Sequence, residues 1–147
     1  MAQVSTYLNF KNNTEEVFNF YKSVFNTEFL GEISRFGSIP PHEGMPPIPD
    51  SIKNCIMHVA LPITDGHLLM GTDAPEEMGF KLIHGNNIHI AIHTDTKEEA
   101  DSLYAKLSAG GTADMPMADM FWGDYYGSLT DKYGIKWMLN FASAKKM

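Results

Sequence analysis

The 147 residues are 44% hydrophobic and 12% aromatic, enough to pack one domain and too much for a disordered chain, with no length left for separate catalytic and regulatory domains. The formal charge is −7, and the basic residues are ten lysines, scattered except for the pair Lys145 and Lys146, plus the single arginine Arg35. This excludes a nucleic-acid footprint and a guanidinium cluster for strongly anionic substrates. One cysteine, Cys55, excludes an internal disulfide; with no basic apolar leader and no run near the ~18 apolar residues of a membrane span, the chain is expected to be cytoplasmic, without a membrane partner.

Residues 4–10 read as a strand. Asn13 then stands as N-cap with Glu16 three residues on, ahead of the stripe Val17, Phe20, Tyr21 and Val24, which predicts a helix ending near Asn26. Residues 28–36, 54–61 and 67–72 are extended runs, the last two separated by the turn signal Thr64-Asp65-Gly66. Between them, residues 37–50 hold Pro40, Pro41, Pro46, Pro47 and Pro49, which bars regular helix or central strand; a solvated insertion is the plain reading and a lid the functional one.

Residues 74–85 read as a linker. In the strand-like run 87–94, Ile88, Ile90 and Ile92 alternate with His89, Ala91 and His93. Thr96 and Glu99 then form a second capping box before Ala100, Leu103, Tyr104 and Leu107, with Gly110-Gly111 as the stop. Three extended runs follow, 112–117, 125–130 and 135–141. Asn13 and Thr96, Glu16 and Glu99, Phe20 and Leu103, and Tyr21 and Tyr104 are all 83 positions apart, so an internal repeat is present. The expected fold is α+β, two βαβββ modules at 1–73 and 86–147 joined by the linker 74–85.

A duplicated module of this kind resembles the vicinal oxygen chelate superfamily, also described as the glyoxalase, bleomycin-resistance and dioxygenase fold, and within it the PhnB-like group. The resemblance is carried by Tyr7-Leu8-Asn9-Phe10 leading to Glu16 and Tyr21, by Ile56-Met57-His58-Val59, by Leu69-Met70-Gly71 with Asp73, by Phe121-Trp122-Gly123, and by the run Asp131 to Met138. It implies curved mixed sheets enclosing a cavity, commonly in a homodimer, which would also cover sheet faces that two helices leave bare. The superfamily's four metal-ligand positions fall on Thr6, Met70, His89 and Met138, of which only His89 suits a hard divalent ion, because thioethers are soft donors. The expectation is therefore no metal, no cofactor, and convergence of these four side chains on a ligand site.

His89 and His93 are about 13 Å apart along a strand, too far to share an ion, and read as hydrogen-bonded histidines facing a polar cavity or solvent. His58, mid-strand, is the candidate catalytic base. Met70 and Met138, with Trp122, Phe121 and Tyr7, suggest an apolar, aromatic lining, while Trp137 reads as core. Asp73 and Asp124 are the carboxylates expected near the mouth of the cavity, and Cys55 reads as a structural thiol.

The expected function is binding of a small, largely apolar or aromatic molecule, with Thr6, His58, Met70, His89, Trp122 and Met138 as contacts. The alternative is a lyase, isomerase or dioxygenase, either metal-dependent through a displaced set such as His58, His89 and Asp73, or built on His58 alone. A partner-binding structural domain is a third reading. Similar chains also carry a demethylubiquinone methyltransferase designation, but no glycine-rich nucleotide loop follows a strand here.

Overall fold

The computed structural model describes residues 2–40, 43–44 and 46–142; Pro41 of the proline-rich stretch and the Lys145, Lys146 pair lie outside them. The fold is α+β, built from two similar units, Met1–Ile83 and His84–Met147, each with one helix and one four-stranded mixed sheet.

The first unit contains β1 (Thr6–Phe10), α1 (Thr14–Phe25), β2 (Ser34–Arg35), β3 (Ile56–Thr64) and β4 (His67–Asp73). The sheet order is β1-β4-β3-β2, with β1 parallel to β4 and the other pairs antiparallel. Of the predicted stripe of α1, Val17, Tyr21 and Val24 are in the core beside Val59, Leu61 and Leu69, joined by Phe18 in place of the half-buried Phe20, each burial contributing about 1.5–3 kcal/mol. Gly71 permits the closest approach: a Cβ there would lie 2.5 Å from the Phe18 ring. That contact marks which side of the sheet the helix covers.

Three details differ from the sequence expectation. Asn13 does not cap α1 with its side chain. The buried carboxylate of Asp73, at the end of β4, instead accepts from the Thr14 N–H (3.0 Å), the Thr14 hydroxyl (2.7 Å) and the Ile56 N–H (2.7 Å). A charged acceptor serving three buried donors outcompetes a surface amide. The strand expected over 28–36 contracts to Ser34–Arg35, because Gly31 turns into the left-handed region (φ 73°) and the register slips between Ser34 and Arg35. Strands β1 and β5 begin two and three residues later than predicted, their first expected apolar residues, Val4 and Ile88, being exposed. The base of the proline-rich stretch is pinned by Phe36 and Ile52, both buried, and by Gly37 N–H donating to the Lys53 carbonyl at 2.9 Å.

The second unit contains β5 (Ile90–His93), α2 (Lys97–Ser108), β6 (Thr112–Asp119), β7 (Asp124–Thr130) and β8 (Lys136–Ala142), in the order β5-β8-β7-β6 with β5 parallel to β8. Thr96 caps α2 as the sequence predicts: its Oγ1 accepts from the Glu99 N–H at 3.0 Å, and Glu99 accepts in turn from the Asp95 N–H. Ala100, Leu103 and Leu107 are buried with Leu129, Trp137 and Leu139. The buried Asp131 accepts from the N–H groups of Tyr133 and Ile135 and from the Trp137 indole at 2.9 Å, fixing the β7–β8 turn and the largest core side chain together. Strand β6 lies at the sheet edge, is exposed along most of its length, and its register shifts on either side of Met115. The Tyr104 hydroxyl reaches into this irregularity, 3.0 Å from the carbonyls of both Met115 and Ser128.

Candidate functional site

Strand register decides which side chains can meet, because neighbours along a strand point to opposite faces. In the first unit Tyr7 pairs with Met70, which pairs with Ala60, while Thr6 pairs with Leu69, which pairs with Leu61. Leu69 and Leu61 are fully buried and alternate in step with Gly71, under the helix. Thr6 therefore shares the helix side of the sheet, where its hydroxyl is 2.9 Å from His67 Nε2. The open face carries Tyr7, Met70 and His58, with the Tyr7 and His58 rings 6.1 Å apart and tilted by 30°. The expected meeting of Thr6 with Met70 does not occur; Tyr7 takes that place.

In the second unit Ala91 pairs with Met138, and Met138 with Ser128. Trp137, Leu139 and Leu129 occupy the helix side, leaving Met138, Ser128 and Tyr126 on the open face. Tyr126 continues into an aromatic chain, its ring 6.4 Å from Trp122, which is 5.0 Å from Phe121 in an edge-on arrangement. Trp122 is 46% and Phe121 98% exposed. His89 is exposed just before β5, and His93, also exposed, pairs with Asn140.

Neither Asp73 nor Asp124 is a solvent-facing carboxylate: both are buried, and Asp73 is spent on the α1 cap. Arg35 grips Glu15 through two nitrogens, at 3.1 and 2.8 Å, and donates to the Asn54 carbonyl, tying β2 to α1. That guanidinium holds the Glu15 carboxyl below its ordinary value. Burial, reinforced by the charges of Asp73 and Glu77, pushes the Cys55 thiol up, and its Sγ lies 3.6 Å from Asn12 Oδ1. A protonated thiol of this kind is a poor nucleophile.

Among the described residues no group of three or more His, Cys, Asp or Glu side chains is placed to hold a metal ion. By register the repeat-related pairs are Tyr7 with Met70 in the first unit and Ala91 with Met138 in the second; neither pair offers the imidazole or carboxylate donors that a hard divalent ion takes. Sequence reasoning grouped Tyr7 with Met70 in the aromatic lining but gave the repeat-related position beside Met70 to Thr6 instead. The signal was present: even-numbered Leu8 and Phe10 are apolar in β1, as even-numbered Ile90 and Ile92 are in β5, and an offset of 83 reverses that parity.

A family profile described as 3-demethylubiquinone-9 3-methyltransferase matches residues 2–140. The chain belongs to this family, the PhnB-like group of the vicinal oxygen chelate fold. The PhnB-like chain is 28% identical to protein PA1353 of Pseudomonas aeruginosa, with 97% of this chain and 98% of that one covered and a TM-score of 0.81. It is 26% identical to a putative 3-demethylubiquinone-9 3-methyltransferase, PhnB protein, of Bacillus cereus, covering 96% and 100% at a TM-score of 0.73. A glyoxalase/bleomycin resistance protein/dioxygenase family enzyme of Burkholderia phytofirmans shares the fold, at 18% identity, 94% and 98% coverage and a TM-score of 0.61.

Proposed function

We propose that this PhnB-like protein binds a small, largely apolar or aromatic molecule on the open sheet face of the first unit, as a homodimer and without a divalent metal. The observation that carries the reading is the juxtaposition of Tyr7, His58 and Met70 on a face that its own helix does not cover. A half-exposed phenol ring, an imidazole and a polarizable thioether form a surface suited to a flat apolar ligand. Trp122 and Met138 present the same chemistry within the second unit, where His89 is exposed just before β5. Thr6 is replaced by Tyr7. His58 is the general-base candidate of this face. Methyl transfer, which the family description names, is not part of the proposal: Gly71 and Gly127 are closed off by Phe18 and Met117, so these glycines serve packing rather than a nucleotide phosphate.

The test is titration with 1-naphthol, followed by backbone amide NMR. Saturable shifts centred on Tyr7, His58 and Met70 are expected, with Tyr7→Ala and His58→Ala each weakening binding by about five- to tenfold. Shifts confined elsewhere, or unaltered affinity in both variants, would overturn the assignment. Elemental analysis of protein purified without chelators should find no stoichiometric zinc, nickel or manganese, and light scattering should give about twice the 16.4 kDa chain mass.

A further inference from the structure

Beyond this face, the first unit has a cleft of about 270 Å³ lined by Asn9, Ala74, Phe80, Lys81, Leu82 and Ile83. It lies where the chain leaves β4 and passes the end of β1; the backbone is fixed there by the Ala74 N–H donating to the Phe10 carbonyl at 2.7 Å. Its wall is polar and apolar in about equal parts and is open, with Phe80 48% and Ile83 84% exposed. Asn9 and Lys81 are the two residues with polar side chains in that lining.

Lys11, Lys22, Lys53, Lys97 and Lys136 each hold a carboxylate within 4 Å, at Glu76, Glu28, Asp50, Asp119 and Asp114. Lys81 has no such counter-ion among the described residues, although the chain carries a charge of −7. A lysine without a counter-ion and an amide-bearing side chain, in one cleft with Phe80, Leu82 and Ile83, complement an anion attached to an apolar body. One cation supports one negative charge, and the acidic chain repels a second. The volume is just below that of pockets for drug-sized ligands, which suits a body of one or two rings.

We infer that this cleft binds an aromatic monocarboxylate, its carboxylate accepting from Lys81 Nζ and Asn9 Nδ2 and its ring lying against Phe80 and Leu82. The inference does not depend on the function proposed above, because Tyr7, His58 and Met70 do not line the cleft.

The test compares 1-naphthoate, neutral 1-naphthamide and 1-naphthyl phosphate by amide NMR titration. Naphthoate should shift residues 9, 74 and 80–83 saturably and bind at least about fivefold more tightly than naphthamide. Lys81→Gln should erase that preference while leaving the spectrum of the free protein otherwise unchanged, and Phe80→Ala should weaken both ligands. His58→Ala should leave naphthoate binding intact, which separates the two sites. Equal affinity for acid and amide, an undiminished preference in Lys81→Gln, tighter binding of the phosphate, or no saturable shift at these residues would each overturn the inference.

Discussion

The two units share one topology but place their polar anchors at opposite ends of it. In the first, Asp73 closes β4 and joins the start of α1 to the start of β3; in the second, Asp131 precedes β8 and joins a turn to Trp137. Aligning β3–β4 with β7–β8 by their register puts Phe141 at the place of Asp73 and Ile63 at the place of Asp131. The close-approach glycines exchange places too, Gly71 on β4 corresponding to Leu139 and Gly127 on β7 to Val59. A repeated backbone thus fixes the apolar layers, while each copy solves its buried hydrogen bonds separately.

The largest test removes the anchors. Asp73→Ala and Asp131→Ala should each lower the free energy of unfolding by about 2–4 kcal/mol in denaturant titrations, since the first strands three buried donors and the second the buried Trp137 indole and two half-buried N–H groups. Hydrogen exchange should localise the damage, with Asp73→Ala loosening the α1 amides and sparing those of α2. Equal loosening of both helices would break the comparison.

Gly71→Ala should cost about 1–3 kcal/mol, because the new methyl meets the buried Phe18 ring. Phe18→Leu in the same chain should recover part of that loss; a fully additive double variant would show that the two do not collide. Helix capping gives a smaller contrast. Thr96→Ala should cost about 1 kcal/mol and Asn13→Ala less than about 0.5 kcal/mol, because only Thr96 holds a helical N–H with its side chain.

The smallest effect is alkaline. Tyr125 donates to Asp101 and its pKa is pushed up to about 12, chiefly by that hydrogen bond to a carboxylate. A raised pKa favours the protonated phenol in the fold, so its contribution is complete below the ordinary value near 10 and is lost as pH rises toward 12. Absorbance titration should find a tyrosine ionising near pH 12 that is lost in Tyr125→Phe, whereas a late phase unchanged in that variant would contradict the contact.

Helices and strand order were legible because apolar periodicity and turn residues are local signals. The face of β1 was not. From Phe10 to Thr14 and from His93 to Lys97 the connections are equally long, which is why 83 describes both helices. Yet Phe10 pairs with Asp73, whereas His93 pairs with Asn140, the counterpart of Thr72. A slip of one residue exchanges faces, and Asn12, at φ 61°, lies in the first of these connections. The sites of Asp73 and Asp124 were hidden for another reason: an acidic residue at a strand end reads as solvated unless its distant donors are known. Trp137, Cys55 and the Thr96 cap were readable from their neighbours alone.

The exposed edge strand β6 has a consequence for how these molecules behave when crowded. An unpaired strand edge of eight residues is a template on which another chain can add a strand. Here Pro116 offers no N–H in mid-strand, Asp114 and Asp119 bring negative charge, and two register shifts keep the edge from running straight. The first unit reaches the same protection by brevity, since its corresponding edge, β2, is two residues long. Resistance to fibrillar self-association is therefore written twice into this chain, once as interruption and once as shortness.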